Sequence, residues 1–290
     1  MNTTNVVPIP PSYSDQGEFS SDDTMRYLKY LETNGVSTFM TTAGTSQYNL
    51  LSLSEIQELN SCVLSCSGKK IIGLPACSSL AARSFIDNMG SGHENTYYMG
   101  LYPDRFYDNE TVIDYFSRIR DFTEKPIYVH GMFMRAGRGG QWNFTSDVLC
   151  ELFEKNVVVG IKEEHSDLAQ SYNMILNLPK EMDVIVAGGS MRRHQFLRTA
   201  GANSFLAGVG NLYPEIESDY CKRIDAGDDI TDLIEKESAL FSVFNKHGWH
   251  RSLRIGISGL QLGCFYDRMP WPSRDESVVE DILNVLEEIK

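Results

Sequence analysis

One lysine closes an apolar run. Val157-Val158-Val159-Gly160-Ile161 leads into Lys162, and Glu163 and Glu164 follow. An apolar stretch without alternation is the pattern of a strand buried on both faces, as in a parallel sheet. Lysine is among the residue types least often buried, so one at the end of such a strand has two explanations. Its ammonium is paired with a carboxylate, Glu163 or Glu164 being nearest in sequence. Or the lysine is chemical: partial desolvation disfavours the ammonium, and the free amine attacks a carbonyl.

The elements that must position Lys162 alternate along the chain. Strands are expected over Val6–Ile9, Val36–Thr42, Lys70–Ala76, Thr96–Leu101, Pro126–His130, Val157–Lys162, Asp183–Ala187 and Ser204–Gly208. Helices are expected between them, over Thr24–Asn34, Ser52–Ser65, Ser78–Asn88, Glu110–Phe122, Thr145–Glu154, Ser166–Leu176 and Met191–Thr199, and after the last strand over Tyr213–Ile224. Strand–helix alternation implies right-handed parallel units. Eight units at this length predict an α/β fold, a closed (β/α)8 TIM barrel with a C-terminal helical extension. The barrel is expected over 1–225. Past Asp228 the pattern is purely helical, over Ile230–Lys246, roughly Ser252–Leu262, and Glu276–Glu288. Residues 226–290 are expected as a helical annex packed on the barrel. Met269-Pro270-Trp271-Pro272 reads as an extended turn, because each proline disfavours helix for its predecessor.

Composition narrows the partners. The 290 residues are 42% hydrophobic and 22% charged, which fits a globular protein with a sizeable core. The 39 acidic residues outnumber the 26 basic ones, for a net charge of −13. That argues against nucleic acid or an anionic membrane as the main partner. The six cysteines form no C-x-x-C pair and no zinc spacing, and read as buried free thiols. The first residues have no basic region followed by an apolar core, and no apolar run reaches membrane length. A cytoplasmic location is the expectation.

In such a barrel chemistry sits where the strands end. The residues there are Thr45 and its neighbours, His130 with Tyr128 and Arg135, Lys162, Gly188 and Leu206. The set lacks the clustered Asp, Glu and His of a metal site. It does contain one lysine, a hydroxyl-bearing turn able to hydrogen-bond a carboxylate, and an aromatic or imidazole proton carrier. Those are the parts needed to form a Schiff base with a 2-oxo acid.

The order of motifs resembles the dihydrodipicolinate synthase / N-acetylneuraminate lyase family of class I aldolases over nearly the whole chain. Pro8 to Gly17 resembles the family's opening strand and turn. Gly35 to Glu55 resembles its glycine/threonine loop and the S-L-x-x-E helix start. Gly160-Ile161-Lys162-Glu163 resembles the Schiff-base lysine motif. Ala187-Gly188-Gly189, Gly201-Ala202 and Gly210-Asn211-x-x-Pro214 resemble the last two strands.

The resemblance implies a role for each matching position. Lys162 is the imine-forming residue. Thr45 stands at the second hydroxyl position of the loop that binds the pyruvate carboxylate. Gly44 falls where the family has Thr or Ser, unless a one-residue shift puts Thr45 and Ser46 there. Gln47 stands where the family commonly has Glu. The fifth strand departs most. The family's Tyr-Asn-x-Pro-x-Arg-x-Gly is replaced by His130-Gly131-Met132-Phe133-Met134-Arg135-Ala136-Gly137. Anchored on Pro126, Arg135 and Gly137, the proton-shuttling tyrosine position is His130. Tyr128 lies two residues earlier, on the same strand face and one layer deeper. Either His130 takes the shuttle role or a slip brings Tyr128 into place.

Arg135 matches the arginine that binds a carboxylate of the second substrate. Gly188 matches a glycine whose backbone approaches substrate, and Leu206 a position offering a carbonyl near the imine. Ser190 and Met191 replace the acidic residues that the sialic-acid branch uses for sugar hydroxyls, which argues against that sugar. Tyr102 and Tyr107 lie near the family's second relay tyrosine without aligning to it. Arg138 and Gly139-Gly140-Gln141-Trp142 look like added loop over the barrel mouth.

The resemblance thus implies a lyase that joins or splits a 2-oxo acid and an aldehyde through an imine. No metal or organic cofactor is implied, because the imine itself is the electron sink. The resemblance also implies a homodimer or homotetramer. The alternatives are a 2-oxo acid dehydratase or hydratase-aldolase using the same imine, or a barrel that binds a 2-oxo acid without turnover.

Overall fold

The computed structural model describes residues 2–42, 44–75, 78–90, 93–103, 108–132, 144–270 and 275–290. Eight parallel strands close in sequence order into one barrel. They are β1 (Thr4–Pro8), β2 (Thr38–Met40), β3 (Lys69–Gly73), β4 (Thr96–Leu101), β5 (Ile127–Gly131), β6 (Gly160–Glu163), β7 (Asp183–Val186) and β8 (Ser204–Leu206). The chain is therefore the (β/α)8 barrel that the alternation predicts, with helices between the strands and a helical C-terminal region.

By internal contacts the chain divides into two compact units, Lys69–Leu206 and Asn2–Gly68 with Ala207–Lys290. The expected boundary at 225/226 follows topology instead, where strand–helix alternation stops.

The first unit carries β3 to β8 with α3 (Ser79–Met89), α4 (Asn109–Arg120), α5 (Ser146–Glu154), α6 (Leu168–Leu176) and α7 (Ser190–Leu197). Its strands are buried on both sides. Ile71, Ile72, Val129, Ile161, Ile185 and Val186 are all fully buried, each contributing roughly 1.5–3 kcal/mol by leaving water. Register fixes what shares a level: Tyr128 pairs with Gly160 and His130 with Lys162, and across the next seam Gly160 pairs with Asp183. Gly160 must lack a side chain here. A Cβ would meet the Asp183 carbonyl oxygen at 2.4 Å and the Tyr128 ring at 2.6 Å.

The strand that bears Lys162 starts later than the apolar run. Val157 and Val158 are buried, but regular pairing begins with the Val159 amide, which donates to Ile127 O at 2.8 Å. The run enters the barrel as a buried approach, and the ladder takes over from Gly160.

The second unit holds β1 and β2 with α1 (Ser21–Thr33), α2 (Leu53–Leu64), α8 (Pro214–Ala226), α9 (Thr231–His247), α10 (Trp249–Gly259) and α11 (Glu276–Ile289). Ser52-Leu53-Ser54-Glu55 forms a capping box: the Glu55 amide donates to Ser52 Oγ, and the Ser52 amide donates to Glu55 Oε2. α10 starts three residues earlier than its sequence pattern suggests. Gly248, at φ 89°, makes the break from α9, so the helix begins at Trp249. Trp271 and Pro272 lie outside the described residues.

Among the described residues the free thiols are mixed in burial. Cys62 and Cys66 are buried, Cys150 and Cys221 half-buried, and Cys264 is exposed, so the expectation of buried thiols fails at Cys264. No helix among them is long and apolar enough to cross a membrane.

Candidate active site

Three polar side chains meet at the C-terminal ends of β5 and β6. Lys162 Nζ lies 2.9 Å from His130 Nε2 and 3.3 Å from Glu164 Oε2. His130 Nε2 lies 2.9 Å from the same carboxylate oxygen. Strand geometry brings them together. His130 and Lys162 are register partners on adjacent strands. Glu164 follows Lys162 by two residues, so it faces the same side. Lys162 and His130 are buried, whereas the Glu164 side chain is 31% exposed. Burial pushes the Glu164 carboxyl up, but the opposed charge of Lys162 and the hydrogen bond from His130 outweigh it and hold the acid ionised far below the usual carboxylate range.

Glu163 faces the other way. Its Oε2 accepts from Arg193 Nη2 at 2.8 Å, and its Oε1 accepts from Ser171 Oγ at 2.7 Å and from the His165 amide at 2.8 Å. The same Arg193 nitrogen donates to His165 O at 2.7 Å. These bonds tie the turn after β6 to α6 and α7. Of the two carboxylates offered as partners for Lys162, Glu164 is the one that takes it.

Tyr128 is not brought to Lys162. Its hydroxyl accepts from Lys69 Nζ at 2.6 Å and donates to Asp183 Oδ2, at the opposite, N-terminal end of the strands. Lys69 also bonds Asp183 at 3.1 Å and lies over the rings of Tyr97 and Tyr128. Burial, reinforced by the Asp183 carboxylate, pushes the Tyr128 phenol far above its ordinary value. A phenol so held is a structural tie in the barrel floor.

Gly188 follows β7 with a left-handed φ of 72°, and a Cβ built there would lie 3.8 Å from Glu164 Cγ. Leu206 ends β8 and is half-buried. Tyr102 is buried edge-on against Phe144, with ring centroids 4.9 Å apart. Arg135, Arg138, Trp142 and Tyr107 lie outside the described residues.

The hydroxyl-bearing loop belongs to the second unit. Thr45 and Ser46 are buried and Gly44 is half-buried. Ser46 Oγ donates to Ile9 O at 2.6 Å and accepts from the Thr42 amide at 3.0 Å, so its one proton is already used. Gln47, at a left-handed φ of 50°, takes a hydrogen bond on Oε1 from the buried Arg254.

The sequence offered Glu164 only as an ion-pair partner of Lys162 and gave it no place in the chemistry, although it stands two residues past Lys162, one beyond the end of β6, a spacing that sets both side chains on one face. Among the described residues no cluster of three His, Cys, Asp or Glu side chains could hold a metal.

The fold is shared with solved structures of dihydrodipicolinate synthases and of an N-acetylneuraminate lyase. Dihydrodipicolinate synthase from Oceanobacillus iheyensis superposes with a TM-score of 0.83 at 18% identity, over 99% of this chain and 96% of that one. A prophage protein of the dihydrodipicolinic acid synthase family from E. coli, solved in complex with pyruvate, gives 0.86 at 14% identity, over 99% and 98%. N-acetylneuraminate lyase from Mycoplasma synoviae gives 0.84 at 15% identity, over 99% and 97%. In sequence, 4-hydroxy-tetrahydrodipicolinate synthase from Methanospirillum hungatei is 29% identical over 103 residues. That match spans 36% of this chain and about a third, 33%, of the relative. No protein-family model matches the chain.

Proposed function

We propose that the chain is a class I aldolase or lyase that forms a Schiff base between Lys162 and pyruvate or a related 2-oxo acid, and makes or breaks a C–C bond to an aldehyde. The observation that carries this reading is the 2.9 Å approach of His130 Nε2 to Lys162 Nζ at the C-terminal end of a barrel strand. A proton carrier in contact with a buried amine is what imine chemistry needs.

The steps follow from that contact. The Lys162 amine adds to the keto carbon, and the keto oxygen becomes a hydroxyl by a proton passed through His130. The hydroxyl leaves as water and the C–N bond becomes an iminium. His130 takes a C3 proton to give an enamine, which attacks the aldehyde carbon, and the new alkoxide takes that proton back from His130. Hydrolysis frees Lys162. Run backwards, the same steps cleave the product.

Contacts to substrate remain those that the resemblance implies. They are Thr45 and Gly44 for the 2-oxo acid carboxylate, the Ser46 hydroxyl being committed to Ile9 O, Arg135 for an anionic group on the aldehyde, and the backbone of Gly188 and Leu206 near the imine. A homodimer or homotetramer is part of the same proposal and is read by sedimentation.

Product analysis with pyruvate and a panel of aldehydes and sugar acids tests the reading. A C–C-linked product or a cleaved one, absent in Lys162→Ala, is expected. Loss of water alone would move the assignment to a dehydratase using the same imine. Thermal stabilisation by pyruvate with no turnover across the panel would overturn it in favour of a non-catalytic binding barrel.

A further inference from the structure

Three basic atoms converge on one point: Lys162 Nζ, His130 Nε2 and Glu164 Oε2, at 2.9, 2.9 and 3.3 Å. A single ring nitrogen cannot donate to the carboxylate and accept from the amine at once. With the proton on Lys162, His130 Nε2 accepts from it and has no proton to give the carboxylate, which is then bonded by the ammonium alone. With the proton on His130, Nε2–H donates to Glu164 and the lysine is a free amine. The charge over the three groups is zero in both arrangements, so the proton moves without separating charge. The second arrangement places the cation at the shorter of the two distances to Oε2.

Building on the proposed Schiff-base reading, we propose that Glu164 is a further catalytic residue: it keeps the shared proton on His130 for delivery to the carbinolamine hydroxyl, then serves as counter-ion to the iminium nitrogen. In the neutral carbinolamine the Lys162 nitrogen lone pair forms the second C–N bond as the C–O bond breaks. The hydroxyl leaves as water with the His130 proton. The cation passes from the imidazole to the iminium, and Glu164 Oε2 faces it in both states. An iminium that keeps its positive charge is the electron sink that the C–C step requires.

The surroundings support this. The Glu164 carboxyl is held ionised by its two partners. The turn that carries it is fixed from the far side by Glu163, Arg193 and Ser171. Among the described residues the charged groups on Glu164 are Lys162, two residues before it on β6, and His130, on β5; on the β7 side a Cβ built at Gly188 would lie 3.8 Å from Glu164 Cγ. Lys162 opposes protonation of His130, and Glu164 favours it.

The test is the rate of borohydride trapping of pyruvate on Lys162, followed against pH in the unaltered chain, Glu164→Gln and Glu164→Asp, with circular dichroism to check folding. Without the carboxylate a protonated His130 exists only at lower pH. Glu164→Gln is expected to trap roughly tenfold or more slowly near neutral pH, with the alkaline limb moved to lower pH. Glu164→Asp, which keeps the charge, is expected to recover part of both and stands in if the glutamine variant does not fold. Trapping in Glu164→Gln at the unaltered rate and pH profile would overturn the role of Glu164 and leave the Schiff-base reading standing. No label on Lys162 in the unaltered chain would overturn both.

Discussion

His130 Nε2 touches Lys162 Nζ at 2.9 Å, and the two residues are register partners on neighbouring parallel strands. Their contact is set by the ladder and does not depend on a loop. It brings an imidazole to the lysine, while the nearby tyrosine of the same strand, Tyr128, is committed to Lys69 and Asp183 at the other end.

Replacing the two residues separately distinguishes them. His130→Phe is expected to lower kcat by roughly 100-fold or more with little change in fold, the usual worth of a positioned proton carrier. Tyr128→Phe is expected to keep kcat within a few-fold but to cost about 1–3 kcal/mol in urea unfolding, because the Lys69 and Asp183 bonds are lost. If the Tyr128 change alone abolished turnover, the shuttle assignment would have to be reversed.

Behind the strand, Glu163 is fully buried and Arg193 nearly so, with side chains 0% and 10% exposed. Arg193→Ala leaves a buried carboxylate without its cation. A loss of about 3–5 kcal/mol is expected, readable as a drop in denaturation midpoint. A loss below about 1 kcal/mol would mean that the pair contributes no more than a surface one.

Gly160→Ala tests the packing of the barrel floor. The added methyl meets backbone at Asp183 and the Tyr128 ring, both under 3 Å. Destabilisation of about 1–3 kcal/mol is expected from the forced shift. A variant as stable as the parent would show that the seam between β6 and β7 has slack.

In the second unit, hydrogen bonds from Arg268 hold the Glu55 carboxyl down at about 2, against burial, with the Ser52 amide and hydroxyl adding to the effect. The nearer Arg268 contact is 2.5 Å, and both side chains are 21% exposed. A folded value below the unfolded one, about 4.5, means that the stabilisation is complete above about pH 4.5 and is lost as pH falls toward 2. Allowing for partial solvent screening, about 1–3 kcal/mol is at stake. Unfolding curves of the parent and Glu55→Gln should differ at pH 6 and converge at about pH 2. A gap that is constant with pH would contradict this account.

Much of the architecture was legible in the sequence because the features are local. The unalternated run before Lys162, the capping signature at Ser52 and Glu55, and the eightfold alternation each need only a few neighbouring residues. His130 was singled out because Pro126 before it and Arg135 and Gly137 after it anchor the stretch. The floor of Lys69, Tyr128 and Asp183 was not legible. Its members are 59 and 114 residues apart, and nothing local marks Lys69 as pointing inward. Glu164, which lies just past β6 as expected, was legible from its two-residue spacing but was offered only as an ion-pair partner of Lys162. The start of α10 was misplaced because Trp249 and His250 carry no helix-start signal of their own and Gly248 makes the break.

Lys162 is the residue proposed to form the imine. Incubation with pyruvate and borohydride, followed by peptide mass analysis, tests it directly. The prediction is a reduced pyruvyl adduct on the peptide carrying Lys162 in the parent chain and no adduct there in Lys162→Ala. An unmodified Lys162, with or without label elsewhere, would contradict it.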